Sequence, residues 1–215
     1  MKKLITVITV VLNLVIVGTV ASLFSNSVIE AHAASRQINE AKIEAERLLR
    51  VAANLAILTE LRAQTIVENT FTPEDMECLQ KNIFFEARNQ SISGQVAVAW
   101  VTLNRMENSK FPDNICAVVY QGQRDANGNM IRNKCQFSWY CDGKSDRILN
   151  NAVAQRAWED ARIIAEVVVL DWARGNISPI ENATYYHANY VHPRWARSFT
   201  EVATIDDHIF YTAEN

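Results

Sequence analysis

One carboxylate lies on an otherwise apolar helical stripe, and it is the first candidate for chemistry in this sequence. Within the segment 73–87, three apolar residues recur at helical spacing: Met76, Leu79 and Ile83. The next position of that series is Glu86, so its side chain is expected to face the core. A buried carboxylate either pairs with a cation, here Arg88 or Arg105, or retains its proton. A carboxylic acid that stays protonated near neutral pH can act as a general acid.

Other kinds of catalytic centre find little support. A zinc site would draw on three histidines: His187, His192 and His208. Their spacing is not that of H-E-x-x-H, and Pro193 after the second one indicates a loop. The cysteines lack C-x-x-C spacing, and no G-x-S-x-G elbow is present. We therefore expect no metal and no cofactor.

The elements that position Glu86 are predicted to be mainly helical. The run Thr72-Pro73-Glu74-Asp75 has the cap, proline and acids of a helix start. We predict helices over 73–87, 93–106 and 150–174, a short helix ending near Tyr120, a hairpin turn at Asn127-Gly128, and short strands and loops in the last forty residues. The fold class is α+β, mostly helical with a small β-sheet.

The N-terminal third is predicted to be helical but separate. Lys2 and Lys3 precede an uncharged stretch over 4–24, which is followed by an A-x-A site at Ala31 and Ala33. Residues 1–33 are therefore a cleaved signal peptide or an uncleaved anchor, because about 20 apolar residues suffice to span a bilayer. Both alternatives place the rest of the chain outside the cytoplasm, in the periplasm or cell envelope, and an uncleaved segment would hold it at the inner membrane.

Residues 34–70 are predicted to form a spacer helix, which leaves 71–215 as the main domain. The segment 36–69 contains neither Gly nor Pro, and its apolar positions alternate in steps of three and four: Ile38, Ala41, Ala45, Leu48, Ala52 and Leu55. This stripe is also suited to self-association.

Charge and cysteine content restrict the remaining possibilities. The formal net charge of −3 argues against a nucleic-acid partner, because phosphate binding requires a clustered basic surface. An exported chain meets oxidising conditions, so its four cysteines are expected to form two disulfides. Only five residues separate Cys135 from Cys141. We therefore expect that pair and Cys78–Cys116 among the three possible connectivities.

A collinear set of motifs resembles the SleB-like cell wall hydrolases, the family of the spore cortex-lytic enzymes. The resemblance covers roughly Met76 to Tyr211. Its motifs are NIFFEAR at 82–88, GQVAVAWVTLNR at 94–105, FPD at 111–113, CQFSW at 135–139, DG at 142–143, ATYYH at 183–187, Pro193 with Trp195-Ala196, and HIFY at 208–211. A set in this order is far more specific than any one short motif.

The resemblance implies a lysozyme-related, lytic-transglycosylase-like fold and cleavage of peptidoglycan glycan strands. The family's catalytic acid, the Glu of F-E-A-R, corresponds to Glu86. It would protonate the oxygen between N-acetylmuramic acid and N-acetylglucosamine and then act as base on the C6 hydroxyl, forming a 1,6-anhydro end. Spore members usually carry separate peptidoglycan-binding repeats. This chain has the 36–69 helix instead, which fits an envelope enzyme or a phage lysis protein.

Six residues are expected to contact the substrate: Arg88, Gln136, Ser138, Trp139, Tyr186 and His187. Gln136 and Ser138 would face one side of a strand and bind acetamido groups, with Phe137 in the core. The resemblance places the Tyr186-His187 pair near the cleft. Trp139 would stack on a sugar, and Arg88 would steady Glu86 or contact the peptide stem. Structural roles are the alternative for each, and they are favoured for Asn104 and Arg105.

Two other functions are compatible with the sequence. A hydrolytic muramidase would cut the same linkage with water as acceptor, and the candidates for its second carboxyl are Asp142 and Asp146 in a polar loop. A non-catalytic, membrane-anchored wall-binding or lysis scaffold is the alternative from another class. An acid on an apolar stripe argues against the scaffold.

Overall fold

A computed structural model describes residues 2–213, with side chains from residue 12 onward. Lys2 and Lys3, which carry the expected charge of the signal segment, therefore lie outside the described side chains. The elements in chain order are α1 (Lys2–Thr70), α2 (Pro73–Ala87), α3 (Ile92–Glu107), α4 (Ile115–Val119), β1 (Gly122–Arg124), β2 (Met130–Cys135), a first 3₁₀ helix (Ser138–Cys141), α5 (Ala152–Ala173), β3 (Tyr185–Ala188), a second 3₁₀ helix (Arg194–Ser198), β4 (Thr200–Ile205) and β5 (His208–Thr212). This is the mostly helical α+β architecture predicted from the sequence.

The chain divides into two compact units, one up to Leu58 and one from Thr59 onward. α1 runs through this boundary, since no proline interrupts residues 2–70. By length and apolar composition α1 is able to cross a membrane, and a signal sequence near the N-terminus meets the same criteria. Both alternatives for residues 1–33 therefore stay open.

The second unit begins earlier than the expected boundary at residue 70. Ala63 and Phe71 are buried, and the Phe71 ring packs edge-on against Trp172 with 5.2 Å between ring centroids. The Arg174 guanidinium also forms an ion pair with Glu60. The last turns of α1 thus belong to the compact unit, because their apolar positions pack against α5 and the residues after it.

α2 is the central helix of this unit, and its predicted bounds are confirmed. Thr72 and Asp75 form a reciprocal capping box, with Pro73 in the first turn. α2 packs against α3, α4 and α5. Leu79 and Ile83 on its apolar stripe are fully buried. Burial of each such side chain contributes about 1.5–3 kcal/mol, so this face fixes the rotation of the helix and thereby the direction of Glu86.

The sheets are small and antiparallel. β1 and β2 form a hairpin whose turn contains Gly128 at φ +84°, as Asn127-Gly128 predicts. The second sheet has the order β3-β5-β4, with β5 in the centre. The turn after β4 is tied to the helices, because Asp206 Oδ2 accepts a hydrogen bond from the Ser91 N–H at 2.9 Å, at the start of α3. A Cβ on Gly94 would lie 2.5 Å from that carboxylate, so this close approach requires glycine.

Two disulfides reinforce this arrangement. Cys78 of α2 is bonded to Cys116 of α4, and Cys135 at the end of β2 is bonded to Cys141 in the first 3₁₀ helix. This is the pairing expected from the sequence. The first bond joins two core helices, and the second closes the short segment that passes Glu86.

Candidate active site

Glu86 lies near the C-terminal end of α2, at the edge of the core. The residue as a whole is half-buried, but its Oε1 atom is shielded from solvent and has no hydrogen-bond partner in the described structure. Its Oε2 atom accepts a hydrogen bond of 2.7 Å from the Tyr186 hydroxyl. One carboxylate oxygen is therefore occupied by the protein, and the other is left to carry a proton.

The surroundings raise the pKa of Glu86 above its usual value. Burial is the largest cause, because it penalises the charged form. The Tyr186 hydrogen bond, the positive charge of Arg105 and the backbone N–H groups of Trp139 and Ser138 act in the opposite direction. The net effect favours the protonated acid at pH values where an exposed glutamate is ionised, as the apolar stripe predicts.

Tyr186 reaches Glu86 from β3. Its ring packs on His208 and Phe210 of β5, with centroid distances of 5.0 and 5.6 Å. Burial first and the negative charge of Glu86 second raise the pKa of Tyr186 well above its usual value. The hydroxyl therefore keeps its proton and remains a hydrogen-bond donor to the carboxylate.

Arg105 of α3 approaches the site without pairing with Glu86. It is only 3% exposed, and its Nε donates to the Thr184 carbonyl oxygen at 2.8 Å. Its Nη1 is buried with no partner among the described residues. Among the described residues, no ion pair joins Glu86 to Arg88 or Arg105. The structural ion pair that the sequence offered as an alternative to a protonated acid is therefore not formed.

The segment 136–139 passes the Glu86 carboxylate in a form that the sequence did not predict. Gln136 and Ser138 lie beyond the end of β2, and Ser138 begins a 3₁₀ helix, so the expected strand is wrong here. The expected alternation is still present, since Phe137 is 1% exposed and both neighbours are exposed. Gln136 and Ser138 are thus open to solvent next to the site.

Trp139 is a core residue, which corrects the expectation that it stacks on a sugar. It is buried, and one face of its indole stacks on Phe85 at 4.8 Å between centroids. Its Nε1–H donates to Asn82 Oδ1 at 3.0 Å, and Asn82 Nδ2 donates to Thr102 at 3.1 Å. This network holds the backbone of the 3₁₀ helix at Glu86.

Asn82 was missed by the sequence analysis. It is fully buried, one helical turn before Glu86 on the same side of α2. The signal was present in the sequence, because Asn82 lies four residues before Glu86 and therefore places a second polar side chain on the same face of the helix. A buried amide of this kind requires partners, and the Trp139 indole supplies one.

Among the described residues, His187 and Arg88 form no hydrogen bond or ion pair with Glu86, so Arg88 does not steady it, and their contacts to substrate stay predictions. His187 follows Tyr186 on β3 and therefore points to the opposite face of the sheet, where its ring stacks on Tyr211 at 5.2 Å. Arg88 is exposed at the end of α2, with its Nη1 3.4 Å from the Phe84 carbonyl and its guanidinium 4.8 Å from the Phe84 ring centroid. It packs on the helix end.

The two candidates for a second carboxyl differ in their environment. Asp142 accepts a hydrogen bond from the Lys144 N–H at 2.7 Å, and this bond lowers the pKa of Asp142. Burial and then the charge of Asp142 raise the pKa of Asp146. Among the described side chains, neither forms a hydrogen bond with Glu86 or Tyr186.

The histidines are not arranged around a common metal position. His187 pairs with Ile209 and Ala188 with His208, so the side chains of His187 and His208 lie on opposite faces of the sheet. From residue 12 to 213, no group of three potential His, Cys, Asp or Glu ligands is found.

A separate groove of about 630 Å³ lies between the end of α1, α2 and α5. Its lining is mainly apolar and includes Val67, Met76, Trp158 and Val169, and Glu86 is not part of it. The pair formed by the Glu86 carboxyl and the Tyr186 hydroxyl lies outside this groove. Glu86 with its surroundings is therefore the stronger candidate site.

A carboxyl with a raised pKa, bonded to a tyrosine hydroxyl on a helical α+β scaffold, is the kind of group that general-acid sites use. The chain belongs to the cell wall hydrolase family, whose model matches residues 89–211. The match begins after Glu86, so the assignment of Glu86 rests on the geometry above and on the F-E-A-R motif.

Curated relatives agree with this family. The chain is 29% identical over 147 residues to a spore cortex-lytic enzyme of Halalkalibacterium halodurans, which covers 68% of this chain and 37% of that protein. It is 26% identical over 147 residues to the spore cortex-lytic enzyme of Bacillus cereus, which covers 68% and 47%. The chain thus spans less than half the length of these relatives.

Two solved structures are also similar. One is the catalytic domain of the germination-specific lytic transglycosylase SleB from Bacillus anthracis, at 26% identity and a TM-score of 0.46, covering 67% of this chain and 98% of that one. The other is the catalytic domain of the Bacillus cereus SleB protein, at 26% identity and a TM-score of 0.45, covering 67% and 94%.

Proposed function

We propose that this protein cleaves peptidoglycan glycan strands between N-acetylmuramic acid and N-acetylglucosamine, as a lytic transglycosylase in wall remodelling or lysis. The observation that carries the proposal is the raised pKa of Glu86, whose carboxyl is buried, bonded to Tyr186 through one oxygen and unpaired at the other. Membership of the cell wall hydrolase family and the names of the relatives support peptidoglycan as the substrate.

The reaction requires one acid that later acts as a base. Protonated Glu86 gives its proton to the glycosidic oxygen as the bond from C1 of the muramic acid to that oxygen breaks, and the glucosamine leaves with a 4-hydroxyl group. The Glu86 carboxylate then takes the proton of the muramic acid C6 hydroxyl while O6 bonds to C1. The product is a 1,6-anhydro end, and Glu86 is protonated again.

The Tyr186 bond suits this cycle. A hydroxyl donor at Oε2 stabilises the carboxylate formed in the first step, while Oε1 carries the transferred proton. Gln136 and Ser138, exposed beside the site, are the proposed contacts to the acetamido groups. Of the three candidate carboxyls, only Glu86 accepts the Tyr186 hydroxyl bond, and Asp142 is engaged by the Lys144 N–H, so we propose the one-acid reaction rather than a hydrolytic muramidase.

The proposed location is the cell envelope. Within the apolar part of α1, the hydroxyls of Thr19, Ser22 and Ser27 donate to backbone carbonyls one turn earlier. A hydroxyl satisfied within its own helix is compatible with a lipid environment, so this segment is suited to an inner-membrane anchor. We further propose that the apolar stripe of the 36–69 segment associates with a second copy.

Product analysis tests the function. The oxidised full-length protein in detergent micelles is incubated with purified sacculi, and the soluble products are identified by mass spectrometry beside those of Glu86→Gln. We expect anhydro-muropeptides, one water lighter than reducing muropeptides, from the wild type only. Reducing ends would indicate the muramidase instead. No release by a folded wild type, or equal release by Glu86→Gln, would contradict the proposal and favour the scaffold or another acid.

A further inference from the structure

We propose that Arg105 is a positioning residue of this site: its buried guanidinium supplies the fixed positive charge that stabilises Glu86 as a carboxylate after the proton has left. The inference rests on the proposed function, because it gives Arg105 a part in the same acid–base cycle. The sequence had indicated only a structural role for this residue at the end of α3.

Arg105 is held in one place by a hydrogen bond and by two aromatic rings. Its Nε–H donates to the carbonyl of Thr184, which lies immediately before β3 and two residues before Tyr186. The guanidinium lies 4.7 Å from the ring centroid of Phe137 and 5.3 Å from that of Phe111. Aromatic faces attract a cation, and an arginine keeps its charge even when buried. A positive charge is thus fixed at the junction of α3, β3 and the segment before the first 3₁₀ helix.

Arg105 lies beside both segments that act on Glu86: it bonds the carbonyl of Thr184, two residues before Tyr186, and its guanidinium lies over Phe137, the residue before Ser138. Glu86 Oε1 and Arg105 Nη1 are both buried and without hydrogen-bond partners among residues 12–213. A direct ion pair would hold the glutamate in its ionised form and abolish the general acid. A cation beyond ion-pair distance lowers the cost of the carboxylate without removing its proton in the resting state. Such a separation suits a group that must be first an acid and then a base.

Few other groups act on Glu86. From β3 the Tyr186 hydroxyl donates to it, and from the first 3₁₀ helix the backbone N–H groups of Ser138 and Trp139 act on it. His208 of β5 contacts the Tyr186 ring rather than the carboxylate. Arg105 is the cation that opposes the effect of burial on the pKa of Glu86. Its removal should therefore raise that pKa further.

The test compares a neutral and a charged replacement of Arg105. Arg105→Gln keeps a donor for the Thr184 carbonyl but lacks the charge, whereas Arg105→Lys keeps the charge. Two quantities are measured on the full chain in micelles: the pH dependence of muropeptide release, and the ¹³C NMR titration of the Glu86 carboxyl, identified by its loss in Glu86→Gln. Arg162→Met removes an exposed arginine that pairs with Glu159 and Glu166 on α5, and it serves as the matched control.

We expect the Glu86 midpoint and the basic limb of activity to move to higher pH in Arg105→Gln, with kcat reduced about tenfold or more and KM changed less. Arg105→Lys and Arg162→Met should keep the wild-type midpoint. A folded Arg105→Gln with an unmoved midpoint overturns the proposal. Arg105→Met is a second neutral variant, and an unmoved midpoint in either neutral variant that folds overturns the proposal. A wild type that releases no muropeptides would contradict the proposed function. An active wild type, together with an unmoved Glu86 midpoint in Arg105→Gln, would contradict only the role of Arg105.

Discussion

At the residue scale, the pKa of Glu86 is set by burial acting against four stabilising interactions. Burial raises the pKa, and the Tyr186 hydroxyl, the Arg105 charge and two backbone N–H groups reduce the rise. None of these contacts is an ion pair, so none of them forces the proton off. This balance is what the proposed cycle requires, in which Glu86 gives up its proton and recovers it within one turnover.

Replacing Glu86 with glutamine should change the pH dependence of stability in a defined direction. The pKa of Glu86 is raised in the folded state, so its contribution to stability is present below the unfolded pKa and is lost as the pH rises through the folded pKa. We expect Glu86→Gln to match the wild type in acid and to become the more stable protein as the pH rises through that window. Urea unfolding at a series of pH values measures the difference.

Glu159→Gln is the opposite-sign control for this measurement. Hydrogen bonding to Arg162 lowers the pKa of Glu159, so this carboxylate contributes stability above its unfolded pKa. Glu159→Gln should therefore become less stable than the wild type as the pH rises. A difference between Glu86→Gln and wild type that stays constant with pH would show that the Glu86 pKa is not raised in the folded protein.

Tyr186→Phe should move the basic limb of activity to higher pH. It removes the hydroxyl bond that stabilises ionised Glu86, and a hydrogen bond to a charged group contributes about 1.5–3 kcal/mol, or roughly one to two pH units. The pH profile of muropeptide release measures the shift. Tyr190→Phe, at a tyrosine that is 78% exposed, is the control and should leave the profile unchanged. An unmoved basic limb in Tyr186→Phe would show that the hydroxyl does not stabilise the ionised form of Glu86.

The sequence predicted the acid more reliably than its partners, for a physical reason. The inward direction of Glu86 follows from helical spacing alone, because three residues of its stripe are apolar. The partners come from β3, α3 and the first 3₁₀ helix, and spacing within one helix carries no information about them. His187 illustrates the limit, because the strand alternation that points Tyr186 to Glu86 points its neighbour away.

At the element scale, the two disulfides should have different effects when they are removed. The bond between Cys78 and Cys116 spans 38 residues, and the bond between Cys135 and Cys141 spans 6. Loop-closure entropy predicts a loss of about 4 kcal/mol for the first pair and about 2 kcal/mol for the second. Urea unfolding of Cys78→Ser/Cys116→Ser and Cys135→Ser/Cys141→Ser measures both losses.

Activity should follow the reverse order. The 135–141 bond closes the segment whose backbone N–H groups act on Glu86. Its removal should therefore reduce muropeptide release more than removal of the 78–116 bond does, although it costs less stability. The 78–116 bond joins α2 to α4, and its variant should stay active while it is folded. Equal activity of the two folded variants would contradict a role of the 3₁₀ helix in the site.

The helices were predicted closely, and the segment beside the site was not. α2 coincides with its expected bounds because the Thr72 cap and Pro73 define its start and local contacts suffice to do so. Gln136 and Ser138 were assigned to a strand because Phe137 alternates with polar neighbours. The structure instead has a 3₁₀ helix over Ser138–Cys141, closed by the Cys135–Cys141 disulfide, and residue periodicity carries no information about such a short closed segment.

At the scale of the whole molecule, α1 combines an apolar N-terminal part with the stripe of the 36–69 segment. Ile38 and Leu48 of the stripe are 70% and 60% exposed, whereas Ala63 is buried in the second unit. The sequence predicted helix through residue 69, with an apolar stripe that ends at Leu55. It did not show where packing begins, because the partner side chains lie on α5 and beyond.

Leu48→Lys should weaken self-association of the full chain. A lysine on the exposed apolar stripe places a charge where two copies would pack. Sedimentation velocity in detergent should show a dimer for the wild type and a smaller dimer fraction for this variant. Glu46→Lys, at a position off the stripe, is the control. A monomeric wild type, or a dimer that Leu48→Lys leaves intact, would exclude association through this stripe.

The most direct test of the central claim, that Glu86 alone transfers the proton and no water attacks, is digestion of sacculi in heavy-oxygen water. We expect the new muramic acid ends formed by the wild type to be anhydro ends without the heavy isotope, and no products from Glu86→Gln. Heavy oxygen at C1 of the new ends would show that water is the acceptor, and it would contradict the proposed one-acid mechanism.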